Sequence, residues 1–246
     1  FQIMSFLQRL FSGKTHRIFK WLATDMHSHL LPGIDDGSPD MPTTLHYLTE
    51  LEARGYQKVI TTPHVMRELY PNKPNDIKAL AAKVNEEITA AGLKIRLEAS
   101  AEYMLDDGFD TLLENDQLIP IANRYVLVEM SYVAPTLNYE NTIFKIQAQG
   151  LIPILAHPER YNYLSMNDFE RIKSLGCLLQ VNLLSLVGYY GKHTQAMGQQ
   201  LVQNKQASFL GTDLHHSRHL EALKGISSHS KLVRLIENTE WLNAKL

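Results

Sequence analysis

The sequence predicts an α/β protein built as a barrel of parallel strands, and two observations support that prediction. First, short apolar runs alternate with longer amphipathic segments along most of the 246 residues, which is the pattern of βαβ units in a parallel sheet. Second, residues able to bind a metal ion follow nearly every predicted strand. A barrel enzyme builds its site from the ends of several strands, whereas an open doubly wound sheet concentrates its site at one switch point. We therefore predict a closed or nearly closed TIM-like barrel with seven strands.

Strands and helices are distinguished by the period of their apolar residues. Runs without a helical period predict seven strands, which begin near residues 22, 59, 95, 126, 152, 178 and 208. Apolar residues at every third or fourth position predict helices, and Gly55, Gly92, Gly150 and Gly176 suit the ends of four of them. The predicted helices span residues 43–54, 75–91, 109–114, 139–149, 167–175, 194–204, 220–225 and 230–246.

Residues 1–21 precede the barrel domain, residues 22–246, and are expected to form an N-terminal extension. Its apolar residues Phe6, Leu7, Leu10 and Phe11 have the spacing of a short helix. Apolar side chains are costly to leave in water, so we expect this helix to pack against the bottom or flank of the barrel. Basic residues among them leave a second possibility, which is a docking helix for a partner or a membrane surface.

The composition excludes several classes of protein. A hydrophobic share of 44% and a charged share of 20% are typical of a globular protein, and a net charge of −2 provides no basic field for nucleic acid. No window holds the roughly 18 apolar residues of a membrane span, and the first residues lack the features of a secretory signal. We therefore expect a cytoplasmic protein. The single cysteine, Cys177, lies in an apolar run and is expected in the core, not as a nucleophile.

The segment Asp25-Met26-His27-Ser28-His29 contains the first candidate metal ligands. Side chains alternate faces along an extended strand, so His27 and His29 are expected on one face together with Asp25. Two imidazoles placed in this way can bind one metal ion. A turn-rich segment follows and adds two carboxylates, Asp35 and Asp36.

Further candidate ligands follow the later strands. They are His64, Glu102, Glu129, His157, Asp213 and His215. Each alone has a structural explanation; Asp213, for example, could cap the following helix. Together they are too many for a structural zinc site, and their mixed nitrogen and oxygen ligation suits manganese, iron or zinc. Two or three ions about 3.5–4 Å apart, bridged by carboxylates, are a known arrangement for hydrolysing phosphate esters.

The ordered motifs resemble the polymerase and histidinol phosphatase (PHP) superfamily. The motifs that match are Asp25-x-His27-x-His29, Thr62-Pro63-His64, Glu102-Tyr103, Glu129, Ala156-His157-Pro158-Glu159-Arg160 and Thr212-Asp213-x-His215. More closely, His-Ser-His-x-Leu-x-Gly-x-Asp-Asp-Gly and the segment from His157 to Tyr161 are similar to the bacterial protein-tyrosine phosphatase branch. That branch is encoded with capsule and exopolysaccharide genes. The resemblance covers about residues 24–225 and implies a distorted (β/α)7 barrel, the PHP fold, with three metal ions.

The resemblance assigns the ligands to three metal positions. At the first position it implies His27, His29 and Asp213, with Glu102 as a bridge to the second. The second position is completed by Glu129 and His157. The third would be bound by His64, His215 and a carboxylate from Asp35 or Asp36. The spacing from His27 favours Asp35 as this ligand, with Asp36 as a supporting partner that does not bind the metal directly.

The resemblance also implies the chemistry of the site. Three divalent ions, preferably manganese with iron or zinc as alternatives, would supply a bridging hydroxide that attacks phosphorus without a covalent intermediate. Arg160 matches a phosphate-binding arginine of the branch, and Arg218 is expected to be a second one. Tyr103, Tyr132, Tyr161, Tyr189 and Tyr190 could line the mouth of the site, although packing is the expected role of most of them.

The expected function is hydrolysis of phosphotyrosine, a phosphoric monoester, on a partner protein. The resemblance favours the tail of a bacterial polysaccharide-assembly tyrosine kinase as that partner. A phosphatase for histidinol phosphate or another small molecule is the alternative. A regulatory module that binds metal without catalysis is less attractive, because no ligand position is visibly lost. The oligomeric state is left open.

Overall fold

The computed structural model describes residues 19–226 and 229–246. Most of the predicted N-terminal extension, including the proposed helix around Phe6 and Leu10, therefore lies outside the described residues. Residues 19–22 are helical, with Phe19 and Leu22 buried and Trp21 42% exposed. None of the described helices is both long and apolar enough to cross a membrane.

The described strands are all parallel where they pair along the sheets. They are β1 (Thr24–Asp25), β2 (Lys58–Thr61), β3 (His64–Val65), β4 (Arg96–Ala99), β5 (Glu102–Met104), β6 (Tyr125–Glu129), β7 (Ile152–Ala156), β8 (Leu178–Asn182) and β9 (Phe209–Gly211). One sheet has the order β1-β2-β4, and the other has the order β3-β5-β6-β7-β8-β9. Within each sheet the spatial order follows the chain order, as expected of successive βαβ units.

Two of the seven predicted strands are each divided into two. The second is interrupted at Thr62 and Pro63 between β2 and β3, and the third is interrupted at Ser100 and Ala101 between β4 and β5. Proline has no N–H for a ladder, so Pro63 ends the regular pairing of β2. After each interruption the chain turns its next polar residue, His64 or Glu102, into the second sheet. The seven predicted strand segments therefore correspond to nine strands within the described residues.

Most of the described helices lie between strands, and two follow β9. Within the described residues they are α1 (Met41–Arg54), α2 (Pro74–Ala90), α3 (Phe109–Glu114), α4 (Tyr139–Ala148), α5 (Met166–Ser174), α6 (Leu183–Leu186), α7 (Lys192–Gln203), α8 (Ser217–Gly225) and α9 (Ser230–Glu237). Short 3-10 turns cover Pro158–Arg160 and Asn243–Lys245. The helix α6, a single turn directly after β8, was not predicted from the sequence.

The first predicted strand is shorter than expected. The apolar run Trp21-Leu22-Ala23 was predicted to begin it, but residues 19–22 are helical. Ala23 then has a φ of 60°, a left-handed conformation that ends the helical turn. The strand is left with Thr24–Asp25 only. Three or four apolar residues before a strand do not distinguish a strand from a buried helical turn by period alone.

The last helix also ends earlier than predicted. The sequence predicts a helix over residues 230–246, but α9 stops at Glu237. The chain then turns back, and the indole N–H of Trp241 donates to the Ile236 carbonyl at 3.0 Å. Asn243 is fully buried, and its side chain bonds to the backbone of Thr24 and Leu210. These tertiary contacts replace the last turns of the predicted helix.

The parallel sheet curls, so that its first and last strands approach each other. Ser28 and Leu214 form an isolated parallel bridge just beyond β1 and β9, and the His29 N–H donates to the Leu214 carbonyl at 3.0 Å. A small apolar cluster that includes Met26, Leu127 and Phe209 is separate from the larger core. The molecule is thus an α/β fold with a curled parallel sheet whose carboxyl ends converge.

Candidate metal centre

Nine of the ten predicted ligands converge where the parallel strands end. They fall into four overlapping groups whose candidate ligand atoms lie within 4.8 Å of one another. The groups are His27–His29–Asp213, His27–Glu102–His157, His64–Glu102–Glu129 and His29–Asp36–His64–His215. The exception is Asp35. Polar residues in these positions are brought together because the strands share one direction and end at one edge.

Glu102 lies at the centre of the cluster and is fully buried. Its Oε2 atom is 3.3 Å from His27 Nε2, 3.4 Å from His29 Nε2 and 3.2 Å from His64 Nδ1. Its Oε1 atom is 2.8 Å from His157 Nε2. A carboxylate that faces four imidazoles with its two oxygens has the geometry of a bridge between neighbouring cations.

Asp213 occupies the other side of the first group. Its Oδ1 atom is 3.4 Å from His27 Nε2 and 3.5 Å from His29 Nε2, while the two Nε2 atoms are 3.2 Å apart. Asp213 has a φ of 51°, an unusual conformation for a residue other than glycine but one that aspartate tolerates. The alternative interpretation of Asp213 as a helix cap is not supported, because His216 is the N-cap residue of α8.

The contacts of the two neighbouring carboxylates, Asp35 and Asp36, differ from those that the spacing favours. Asp36 Oδ1 lies 3.5 Å from His64 Nε2 and 3.6 Å from His215 Nε2. Asp35 instead accepts hydrogen bonds through Oδ2 from His29 Nδ1 at 2.8 Å and from the His64 N–H at 3.0 Å. The geometry therefore favours Asp36 as the ligand, while Asp35 orients the ring of His29. Counting residues from His27 could not reveal this, because the intervening turn decides which carboxylate faces inward.

Asp25 does not share a group with His27 and His29, contrary to the expectation from strand alternation. Both of its oxygens accept hydrogen bonds from Thr212, one from the backbone N–H at 2.9 Å and one from the hydroxyl. Burial raises the pKa of Asp25 to about 6. Because β1 ends at Asp25 itself, the strict alternation of a strand does not extend to the two histidines.

Several atoms of the cluster are suited to a cation. Among the buried atoms of the described residues that have no hydrogen-bond partner, four face the interior of the cluster: His64 Nδ1, Glu102 Oε2, Glu129 Oε1 and Asp213 Oδ1. Buried polar atoms without a partner are rare and costly. All four face other ligand atoms across a few ångströms, and the donor set is nitrogen and oxygen only, as manganese, iron and zinc accept. The residues present therefore fit divalent metal ions.

The electrostatics of the cluster are strongly coupled. Burial alone lowers the pKa of His27, but the carboxylates of Glu102 and Asp213 more than offset this effect and raise it to about 10. Burial raises the pKa of Glu102, yet the surrounding histidines hold it well below its usual value. Burial and the adjacent Glu102 raise the pKa of Glu129. The positive charge of protonated histidines thus offsets the negative charge of the buried carboxylates. Bound divalent cations would supply this positive charge in place of the protons.

Arg160 lies at the edge of the cluster in the 3-10 turn after β7. Its Nη1 donates to Asp213 Oδ2 at 3.1 Å. The guanidinium carbon is 4.6 Å from the ring centre of Tyr132 and 4.4 Å from that of Tyr190. Both rings are therefore within cation–π distance of the guanidinium. The side chain is 24% exposed.

Arg218, the second predicted arginine, is not brought into this arrangement. It lies exposed at the second position of α8, and no contact with the nine grouped residues places it in the cluster. Of the five predicted tyrosines, two are packed in the core and three lie at or beside Arg160. Tyr103 and Tyr161 are buried, and their hydroxyls accept hydrogen bonds from the Ile119 and Met130 backbones. Tyr132 and Tyr190 border Arg160, with the 39%-exposed Tyr189 beside Tyr190.

Sequence reasoning missed several side chains of this site. Tyr70 stacks on His64 with ring centres 5.6 Å apart, and no motif marks it. Gln180 and Asn182 on β8 contact His27 and Asp213. Two polar residues at alternate positions of a buried strand are the signal that could have identified them.

Cys177 is buried, as predicted. Burial raises the pKa of its thiol to about 12, and its Sγ lies 3.4 Å from the Leu178 carbonyl. A reactive cysteine needs a lowered pKa and access to solvent. Cys177 has neither property and is a core residue.

Comparisons with known proteins identify the family of the chain. A family model described as "Capsular polysaccharide synthesis, CpsB/CapC" matches residues 23–224. The putative tyrosine-protein phosphatase CapC of Staphylococcus aureus is 30% identical over 202 residues, which cover 78% of this chain and 76% of the relative. The tyrosine-protein phosphatase YwqE of Bacillus subtilis is 26% identical over 195 residues, covering 78% and 77% of the two chains.

A solved structure supports the fold. It comes from work on YwqE from Bacillus subtilis and CpsB from Streptococcus pneumoniae, described as metal-dependent tyrosine phosphatases. The likeness has a TM-score of 0.76 at 22% identity and covers 89% of this chain and 96% of the other. At this level of identity the likeness concerns the arrangement of the strands and helices.

Proposed function

The chain belongs to the CpsB/CapC family of capsular polysaccharide synthesis, and from that premise we propose that it is a metal-dependent protein-tyrosine phosphatase. The observation that carries the proposal is the cluster around Glu102, in which nine nitrogen- and oxygen-bearing side chains face one another. The two relatives described above are named tyrosine-protein phosphatases, the one from Staphylococcus aureus as a putative one. Hydrolysis of a phosphomonoester is a reaction for which such a cluster is suited.

The ligands are proposed to serve three metal positions. His27, His29 and Asp213 would hold the first ion, and Glu102 would be shared between the first and second positions. The remaining ligands are Glu129 and His157 for the second ion, and His64, His215 and Asp36 for the third. His64 faces both Glu129, at 2.7 Å through Nδ1, and Asp36 through Nε2, so it lies between the second and third positions. When bound, divalent ions at neighbouring positions would activate water for attack on phosphorus and neutralise charge on the phosphoryl oxygens.

The residues of the chain have distinct tasks in the proposed reaction. Arg160 presents its N–H edge to the equatorial oxygens of the phosphoryl group, where charge develops in the transition state. Tyr132 and Tyr190 restrict its guanidinium to one plane. Arg218 is proposed only as an outer contact for substrate, since it is exposed on α8. No covalent intermediate on Cys177 is involved, because its thiol is buried and its pKa is raised.

The proposal extends to the finer architecture and to the partner. The curled sheet is taken as a distorted (β/α)7 barrel formed by residues 22–246, and residues 1–21 as an extension of it. Three manganese ions are the preferred cofactors, with iron or zinc as alternatives. The proposed substrate is phosphotyrosine on a protein, such as the tail of a polysaccharide-assembly tyrosine kinase in the cytoplasm. Hydrolysis of histidinol phosphate remains the competing activity.

A side-by-side assay tests the activity and the metal requirement. Purified protein is stripped with a chelator and reloaded with Mn²⁺, Zn²⁺ or Mg²⁺, and each form is offered a phosphotyrosine peptide, a phosphoserine peptide and histidinol phosphate. We expect no turnover after stripping and the highest kcat/KM for the phosphotyrosine peptide after reloading with Mn²⁺. Full activity of verified metal-free protein would refute the metal dependence. A clear preference for histidinol phosphate would refute the proposed substrate class.

A further inference from the structure

The strand β8 supplies none of the nine grouped side chains, yet it places two buried amides beside them. Gln180 and Asn182 are both fully buried. They are two positions apart in the strand, so their side chains lie on the same face of the sheet. Buried amides need hydrogen-bond partners for both ends, and the partners of this pair lie in the metal cluster.

The two amides connect His27 to Asp213 through three hydrogen bonds. His27 Nδ1 is 2.8 Å from Gln180 Oε1. Gln180 Nε2 donates to Asn182 Oδ1 at 2.9 Å, and Asn182 Nδ2 donates to Asp213 Oδ2 at 2.7 Å. The other carboxylate oxygen, Asp213 Oδ1, lies 3.4 Å from His27 Nε2. We refer to Gln180 and Asn182 as the amide relay.

The direction of every bond in the relay is fixed by its two ends. The carboxylate of Asp213, which also accepts from Arg160, can only accept, so Asn182 must present its NH2 group to it. The Oδ1 atom of Asn182 then receives the NH2 group of Gln180, whose Oε1 is left facing His27. At that point the backbone N–H of His157 also donates to Gln180 Oε1, at 3.4 Å. A backbone N–H can only donate, so it confirms the position of the oxygen independently.

The fixed direction determines the state of the His27 ring. Because Gln180 Oε1 accepts, His27 Nδ1 must carry a proton, and Nε2 is the ring nitrogen left to bind a metal ion. The Nε2 atom is the one that faces Glu102 and Asp213. Metal-binding histidines commonly have the second ring nitrogen held in this way by a neighbouring acceptor.

We propose that Gln180 and Asn182 are positioning residues that hold His27 in its Nδ1-protonated form and fix the carboxylate of Asp213, so that the first metal position is assembled as one unit. This inference rests on the proposed function, since His27 and Asp213 are proposed ligands. Neither amide touches the metal or the substrate in this arrangement.

Gly211 on β9 supports the relay by its lack of a side chain. It pairs with Asn182 in the sheet. A Cβ atom at this position would lie 2.7 Å from His27 Cβ and 2.8 Å from Gln180 Nε2, which is closer than atoms can approach without displacement. The close approach of Gln180 to His27 thus requires glycine at position 211.

The test measures metal affinity by competition with a chelator for Gln180→Leu, Asn182→Leu and the double variant. The control is Asn85→Leu, which removes an amide that bonds to the Ala81 and Leu97 carbonyls away from the cluster. We expect each single variant to bind the ion at the first metal position about 10–100-fold less tightly than the wild type does. Because the relay acts as one unit, the metal affinity of the double variant should be no lower than that of the single variant with the lower affinity. The control should keep the wild-type affinity.

A second measurement needs no substitution and covers the case in which a variant does not fold. The 15N NMR spectrum of the Zn²⁺-loaded wild-type protein reports which nitrogen of each histidine carries a proton. We expect His27 to be protonated on Nδ1 and bound through Nε2. Binding through Nδ1, or unchanged affinity in both single variants, would overturn the relay while leaving metal-dependent hydrolysis intact. A wild-type protein that binds no divalent ion would instead overturn the proposed function.

Discussion

Arg160 is held in a way that lysine cannot reproduce. Its guanidinium is within cation–π distance of the Tyr132 and Tyr190 rings and donates to Asp213, whereas a lysine ammonium has no planar fork for two phosphoryl oxygens. We expect Arg160→Lys to lower kcat/KM roughly 100-fold without loss of bound metal. Arg171→Lys, in an exposed arginine that pairs with Glu140, serves as the control. If Arg160→Ala releases metal while turnover per bound ion is unchanged, Arg160 supports Asp213 and does not bind phosphate.

The adjacent carboxylates Asp35 and Asp36 allow a sharp comparison. Asp36 faces His64 and His215, so Asp36→Ala should remove one equivalent of metal from the dialysed protein. Asp35 bonds to His29 Nδ1, so Asp35→Ala should keep the number of ions and weaken their binding about 10–100-fold. Metal content by mass spectrometry and affinity by chelator competition distinguish the two. Loss of an ion from the Asp35 variant alone would reverse the roles assigned to these neighbours.

The cluster could be predicted from the residue types and their order along the chain. The orientation of the side chains could not be predicted in this way. Histidines and acids after successive strands are chemically conspicuous, and parallel strands bring their ends together. The choice between Asp35 and Asp36 depends on the conformation of one turn, which no periodicity describes. Gln180 and Asn182 escaped notice because amides occur in many strands, and only their partners reveal a role.

At the scale of a single element, the helix α5 is fixed by its first turn. Ser165 accepts from the Asp168 N–H, while Asp168 Oδ2 accepts from the Ser165 N–H at 2.8 Å, which completes a capping box. Ser165→Ala should lower the free energy of unfolding by about 1 kcal/mol at pH 7, measured by urea unfolding. An unchanged midpoint would show that tertiary packing alone holds the start of α5.

The same cap predicts a pH dependence. Hydrogen bonds from the Ser165 side chain and backbone lower the pKa of Asp168 in the folded protein, so its contribution to stability is complete above the unfolded value of about 3.9. It is lost as the pH falls through the lower folded value. The stability difference between wild type and Asp168→Asn should therefore be constant near neutral pH and shrink in acid. A difference that grows in acid would contradict the assigned cap.

Element positions followed from the sequence where apolar periodicity was long. The amphipathic segments α1 and α2 were predicted to within two residues of their observed bounds, because each has several turns of consistent spacing. Short apolar runs were ambiguous, so the helical turn before β1 was predicted as a strand. The end of α9 was misplaced because tertiary bonds of Asn243, which lies near the end of the chain, override its local preference.

On the scale of the whole molecule, Asn243 joins the two margins of the curled sheet. Its amide donates to the Thr24 carbonyl at 3.0 Å and to the Leu210 carbonyl at 2.7 Å, and its oxygen accepts from the Leu210 N–H at 3.0 Å. Asn243→Ala would leave these buried groups unpaired and should cost about 3 kcal/mol. For a chain of this size we expect Tm to fall by roughly 6–12 °C. The exposed Asn204, changed to alanine, is the control, and an equal shift in both variants would refute the role of Asn243.

The contact between the two margins also has a kinetic consequence. Thr212 and Asp25 are hydrogen-bonded although 187 positions separate them in the chain, and the proposed first metal position takes side chains from both margins. Closing so long a loop is entropically expensive, and contacts of this sequence separation slow folding. A nascent chain that has not yet released β9 from the ribosome therefore lacks Asp213 and cannot complete that position. Tight metal uptake is then expected only after β9 has joined the sheet, late in the folding of this domain.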